Sequence, residues 1–214
     1  VARHTLALTA LTTTAALLLT ACGGSGGGKT DDIKGADTGS KSPSASASAS
    51  APSGVKRPVI ALPSSFQLTF ANWTSSDPVE QAVLDDAKEE LRAGYAAIIA
   101  DNPDSKDVAF YDTEGVIQQT RSWIKSYTDK NVTVIGELPA FDPKVTLART
   151  GKGASLSYCT DESKAYTKNR KTGKKQGNPA GTNPDVRYVV SLAKSPRGVW
   201  QNAGVHAQRG GCSK

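Results

Sequence analysis

From Asp77 onward the apolar residues Leu84, Ala87, Leu91, Tyr95 and Ile98 recur every three or four positions, the spacing that lines one face of an α-helix. Asp77 can accept hydrogen bonds from the first free N–H groups, Pro78 suits the first helical position, and Glu80 stands three residues after Asp77 as in a capping box. The helix is expected to stop at the DNPDS segment, 101–105. Val116, Thr120, Trp123, Ile124 and Tyr127 mark a second helix over about 113–127, with Asp112 just ahead of it as a cap. Beyond Lys130 the period shortens to two. The segments 131–138, 143–149, 153–160, 185–193 and 198–208 are rich in β-branched and aromatic residues and are separated by Pro, Gly, Asp and Asn, which predicts strands. Helices followed by a run of strands make an α+β domain.

The chain ahead of this domain has a different character. Arg3 and His4 precede an uncharged run, Leu6 to Leu18, too short to span a bilayer, which takes roughly 20 helical residues. Its length and position fit the core of an export signal. Leu19-Thr20-Ala21-Cys22 then resembles the lipobox of bacterial lipoproteins. That resemblance implies a signal peptide over 1–21, cleavage before Cys22, and a diacylglyceryl group on the Cys22 sulfur. Two acyl chains, at about 0.8 kcal/mol per buried methylene, are what stable anchoring takes. The expected location is therefore the extracytoplasmic face of the cell membrane. Residues 22–57, with SPSASASASAPSG at their centre, are Gly, Ser, Ala, Pro, Lys and Asp with few large apolar groups. This composition suits a flexible stalk with a root-mean-square reach of roughly 30–35 Å.

Pro58 to Lys214 is 157 residues, enough for one core. The remaining cysteines, Cys159 and Cys212, both fall within it, and an even pair in an exported domain reads as a disulfide. There is no CxxC to suggest a metal or redox site. Charge is unevenly divided: residues 58–141 hold 6 Lys and Arg against 13 Asp and Glu, and residues 142–214 hold 14 against 4. Between the third and fourth strands a polar excursion carries Lys164, Lys168, Arg170, Lys171, Lys174 and Lys175 with no acid. The plain reading is a solvated hairpin loop. The functional one is contact with an anionic lipid surface or wall polymer through Lys168, Arg170, Lys171, Lys174 and Lys175. Nucleic acid suits the charge but not an exported location.

YCTDES ahead of a loop containing TGK, the tryptophan of GVWQNAG and a cysteine near the end resemble exported actinobacterial lipoproteins with a nuclear transport factor 2-like, or cystatin-like, domain. The resemblance implies N-terminal helices packed in a strongly curved antiparallel sheet, a cone whose open end can be a pocket for a small apolar ligand. Pairing of two copies through the open sheet face is common in similar folds. Such domains include ketosteroid isomerase, limonene epoxide hydrolase and many non-catalytic binding modules, so the fold does not select a function. Carboxyl and tyrosine candidates for isomerase or hydrolase chemistry are Tyr95, Tyr111, Asp112, Tyr127, Glu137, Tyr158 and Asp161. Each also has an ordinary use as core, cap or turn. His206 is the domain's sole histidine and Trp73 reads as a plug against the cone. No phosphate loop, HExxH, GxSxG or cluster of metal ligands occurs, so no cofactor is expected.

The reading favoured by the sequence is a lipid-anchored binding or accessory module, with a pocket enzyme and a surface-docking scaffold as alternatives. Mass spectrometry of the chain extracted from its own membrane is expected to find Cys22 as the first residue, carrying a diacylglyceryl mass. An unmodified residue 22 within an uncleaved chain would overturn the anchoring.

Overall fold

A computed structural model describes residues 54–212; the expected signal peptide, Cys22 and most of the expected stalk lie outside them. The elements run β1 (Phe66–Phe70), α1 (Pro78–Ile99), α2 (Lys106–Tyr111), α3 (Ile117–Thr128), β2 (Val132–Leu147), β3 (Gly153–Asp161), β4 (Ala165–Asn169), β5 (Lys175–Gln176), β6 (Asp185–Lys194) and β7 (Trp200–Arg209). The seven strands form one sheet in the order β5-β4-β2-β3-β6-β7, with β1 parallel to β2 off that path and the remaining pairings antiparallel. This is the α+β class, with helices packed in a curved antiparallel sheet. No helix among the described residues is long and apolar enough to cross a membrane.

The curvature is visible in the packing: α1 rests on both β2 and the edge strand β7, and one helix can touch both only if the sheet curls around it. Two features of β2 bend it. Gly136 has φ +97°, and a Cβ there would stand 2.1 Å from the Lys164 carbonyl oxygen, so only glycine fits where β2 meets the chain entering β4. Farther along, the pairing with β3 shifts register between Phe141 and Lys144, and Asp142 adopts φ 54°. A bulge of this kind kinks a strand and increases its twist.

Asp77 caps α1 as expected, its Oδ1 accepting from the Val79 and Glu80 N–H groups at 2.7 and 3.0 Å. The reciprocal half of the capping box does not form, because Glu80 accepts from the Ser75 hydroxyl instead. Other expectations need correction. The two segments 131–138 and 143–149 are one 16-residue strand; the apparent break at Pro139 and Pro143 is its bend. The second helix starts at Ile117 instead of 113, and the short α2 and β1 were not anticipated. The polar excursion is a hairpin, as its plain reading has it: β4 pairs with β5, and the turn is tied by Asn169 Oδ1 accepting from the Lys171 and Thr172 N–H groups. Within the stretch expected as stalk, Val55 packs on the core and Arg57 is bonded to α1.

Core residues fall in two clusters. One gathers Phe66, Ile98, Tyr111, Ile124 and Leu138, the other Trp73, Leu84, Leu156, Tyr158 and Trp200. Trp73 is 2% exposed and packs edge-on to Phe70, a core plug as expected. Cys159 and Cys212 are bonded, with sulfurs 2.12 Å apart, holding the chain end beside β3. Asp86, 1% exposed on α1, joins three parts of the molecule. Its carboxylate accepts from Arg57 Nε at 2.6 Å and Nη2 at 3.1 Å, and from the Trp200 backbone N–H at 2.9 Å.

Removing the Asp86 carboxylate leaves the buried Trp200 N–H without its acceptor and the part-exposed Arg57 without its partner. Asp86→Ala is therefore expected to lower stability by about 1–3 kcal/mol, read from the urea midpoint. A loss below about 1 kcal/mol would show that Asp86 does not hold α1 and β7 together with the incoming strap, the chain over 54–65 ahead of β1.

Candidate functional site

Between the two clusters lies a cavity of about 330 Å³, walled by Leu68, Leu91 and Leu138 together with Val190, Tyr95 and Trp123. That volume is at the small end for ligand pockets, which run from roughly 300 to 1,000 Å³. Polar groups enter it from Glu90 on α1, Gln119 and Thr120 on α3, Tyr158 and Thr160 on β3, Tyr188 on β6 and Asn202 on β7. Close helix packing sets one wall. A Cβ on Gly94 would lie 2.8 Å from Trp123 Cζ3, so glycine there lets the indole lie directly on α1. Tyr95 meets Trp123 edge-on at 5.4 Å between ring centroids, and Tyr158 stacks on Tyr188 at 5.1 Å and 12°.

Glu90 is the acid of this cavity. It is accessible only in part, and its Oε1 accepts from Asn202 Nδ2 at 3.2 Å. A bulge in β7 aims Asn202 inward: Ser191 faces Gly204 and Leu192 faces Asn202, leaving Ala203 unopposed. Asn202 Oδ1 accepts from the Gly204 N–H at 2.9 Å, which leaves its NH2 for Glu90. Asp112, 4% exposed, sits behind the pair through its bridge to Asn202. Neither Asp112 carboxylate oxygen makes a hydrogen bond of good geometry, although the Thr120 and Asn202 side chains lie beside it. Burial, reinforced by the Asp112 charge, pushes the Glu90 carboxyl up from 4.5 to about 8. Burial likewise lifts Asp112 from 3.8 to about 6, against the pull of Thr120 and Asn202. The Tyr95 and Tyr158 hydroxyls are pushed well upward, chiefly by burial, and stay neutral.

The structure brings together Tyr95, Tyr158 and, just behind the lining, Asp112. The other candidates disperse. Tyr111 is fully buried in the core outside the cavity lining. Tyr127 borders a second, more polar cavity of about 410 Å³ that shares Tyr95 and Leu138 with the first. Glu137 is exposed and pairs with Lys164 at 3.2 Å. Asp161 fastens a turn, accepting from the Ser163 N–H at 2.8 Å. His206 is exposed on β7. Asp112 does not cap the second helix, which begins five residues later; it ends α2 instead.

Glu90, Asn202, Thr160 and Tyr188 were not singled out from the sequence. Glu90 had a signal, standing three residues after Ala87 and four before Gly94 on the buried side of α1. An acid within an apolar stripe is a departure from pattern. Asn202 had none, because a bulge directs it. Among the basic residues, Arg170 requires correction. Its guanidinium donates to the Ile98 and Ile99 carbonyls at the end of α1, at 3.1 Å for Ile99, a helix C-terminal cap. Lys171, Lys174 and Lys175 are exposed at the hairpin, with Lys168 partly covered.

No protein-family model matches the chain, and no curated protein matches it. Solved structures similar to it include a ketosteroid isomerase-like protein from Erwinia carotovora atroseptica, 15% identical, covering 61% of this chain and 95% of that one, with a TM-score of 0.42. A nuclear transport factor 2-like superfamily protein from Salmonella enterica serovar Typhimurium is 15% identical over 62% and 94%, with a TM-score of 0.41. The epoxide hydrolase/cyclase-like enzyme SalBIII, of pyran ring formation in salinomycin, is 14% identical over 59% and 92%, with a TM-score of 0.28.

A carboxyl with a raised folded pKa keeps its proton longer in the native state, so stability falls as pH rises between the unfolded and folded values. For Glu90 that window runs from about 4.5 to about 8. Glu90→Gln is expected to gain on the native protein through this window, by up to about 1.4 kcal/mol per pH unit. Urea unfolding at pH 5 and pH 8 measures it; an equal difference at both would place Glu90 in an ordinary solvated setting.

Proposed function

We infer that the chain is a lipid-anchored extracytoplasmic lipoprotein with a nuclear transport factor 2-like head, whose cone binds a small, largely apolar molecule carrying one polar end. The observation that carries the binding role is the cavity itself: aliphatic and aromatic walls, with Glu90 and Asn202 at one end. Buried polar groups of that kind fix orientation in ligand pockets, while apolar walls supply affinity. The lipobox at Cys22 supports the anchoring, and the exposed lysines Lys171, Lys174 and Lys175 suit a resting contact with anionic headgroups.

One observation favours catalysis as a second reading. Burial pushes the Glu90 carboxyl up to about 8 in an apolar cavity that Tyr158 also lines. A group poised in that range can take or give a proton at a reacting carbon or oxygen, as isomerase or hydrolase chemistry requires.

Native mass spectrometry of the chain solubilised from its own membrane is expected to show a retained small molecule. Val205, part-exposed where it lines the cavity, offers a way to fill the space without cutting into the core. Val205→Trp should lose the retained mass while folding normally. The same bare protein mass for both chains would remove the binding role.

A further inference from the structure

Glu90 and Asp86 lie one turn apart on α1, and their surroundings differ in one respect. Asp86 is paired with Arg57. Among the described residues Glu90 has the neutral Asn202 amide as its hydrogen-bond partner, and no Lys, Arg or His is among those lining the cavity. The groups that face Glu90 are Asp112 from the end of α2, Tyr158 from β3 and Asn202 from β7. Two acids therefore meet at one end of a cavity without a cation between them. A buried carboxyl avoids an unpaired charge either by keeping its proton or by meeting a cation; with no cation in the lining, Glu90 keeps the proton, and an entering cation can replace it.

The walls suit the same guest. Tyr95, Trp123, Tyr158 and Tyr188 all line the cavity, and aromatic rings with nearby carboxylates form the usual setting for organic cations. The Thr160 hydroxyl is a further opening: 3% exposed, lining the cavity, and without a hydrogen bond of good geometry, although Tyr188 lies beside it.

We propose that the cone binds an organic ammonium ion, its charge held by the Glu90 carboxylate beside the Tyr158 ring, with Tyr95 and Tyr188 farther along the same cavity wall and Asp112 as the supporting acid. This rests on the cavity being a ligand site and adds the class of ligand. On binding, Glu90 gives up its proton to solvent and the bound ammonium becomes its counterion, so charge balances within the cavity. A neutral molecule of the same shape forgoes that pairing and leaves Glu90 protonated.

The test compares 2-phenylethylammonium with 2-phenylethanol by isothermal titration calorimetry. The full-length chain is held in phosphatidylcholine nanodiscs, with empty nanodiscs as reference, at pH 7 in two buffers of different ionisation enthalpy. The amine is expected to bind at least about 10-fold more tightly than the alcohol, with release of up to about one proton. Glu90→Gln should shrink that preference to near unity, and Asp112→Asn should reduce it. Alcohol binding as tight as amine binding, and lost in Val205→Trp, would overturn the ammonium assignment and leave the pocket standing. Binding of neither probe would overturn both. An amine preference unchanged in Glu90→Gln and Asp112→Asn would place the cation elsewhere and refute the site.

Discussion

A buried carboxylate must find a positive partner, hydrogen bonds or a proton, and α1 carries two that solve this differently. Asp86 draws Arg57 from the incoming strap and the Trp200 N–H from β7 onto one helix turn. That pairing fixes where the chain enters and where the last strand crosses. Glu90, one turn later, has the neutral Asn202 amide as its hydrogen-bond partner with Asp112 close by, and retains its proton to about pH 8. The first acid closes the fold and the second faces a space.

The space exists because the sheet curls. Gly136 and the bulge at Asp142 bend β2, so that α1 contacts both β2 and β7. Flat sheets pack a helix along one face and leave no enclosed volume at its flank. Here the two core clusters fill the ends of the wrapped helix, and the walls between them belong to both. The bulge in β7 does in miniature what β2 does at large: one extra residue turns a polar side chain from the strand toward the helix.

Charge is separated by the same architecture. The acid-rich part of the chain supplies the helices, including the acids around the cavity, while the lysine-rich part supplies the β4-β5 hairpin. Arg170 belongs to the second part by sequence and to the first by contact, since it closes the end of α1. Its neighbours Lys171, Lys174 and Lys175 remain at the surface. One basic run thus divides into a structural member and a solvated group, a division decided by which residue reaches the last carbonyls of a helix.

Periodicity, caps and cysteine count settled what is local. The start of α1 follows from Asp77 and Pro78, the α+β class from the change of period after Lys130, and the bridge from an even pair of cysteines within one domain. Alternation in FQLTF carried a signal for β1, and the acid within α1's apolar stripe carried one for Glu90. The union of two expected strands into β2, the inward turn of Asn202, the capping by Arg170 and the meeting of Glu90 with Asp112 needed the tertiary structure. Each depends on contacts between residues far apart in sequence, and hydrophobic pattern records only which face of an element is buried. It does not record which partner that face will meet, and that partner decides whether a buried acid is a strut or a site.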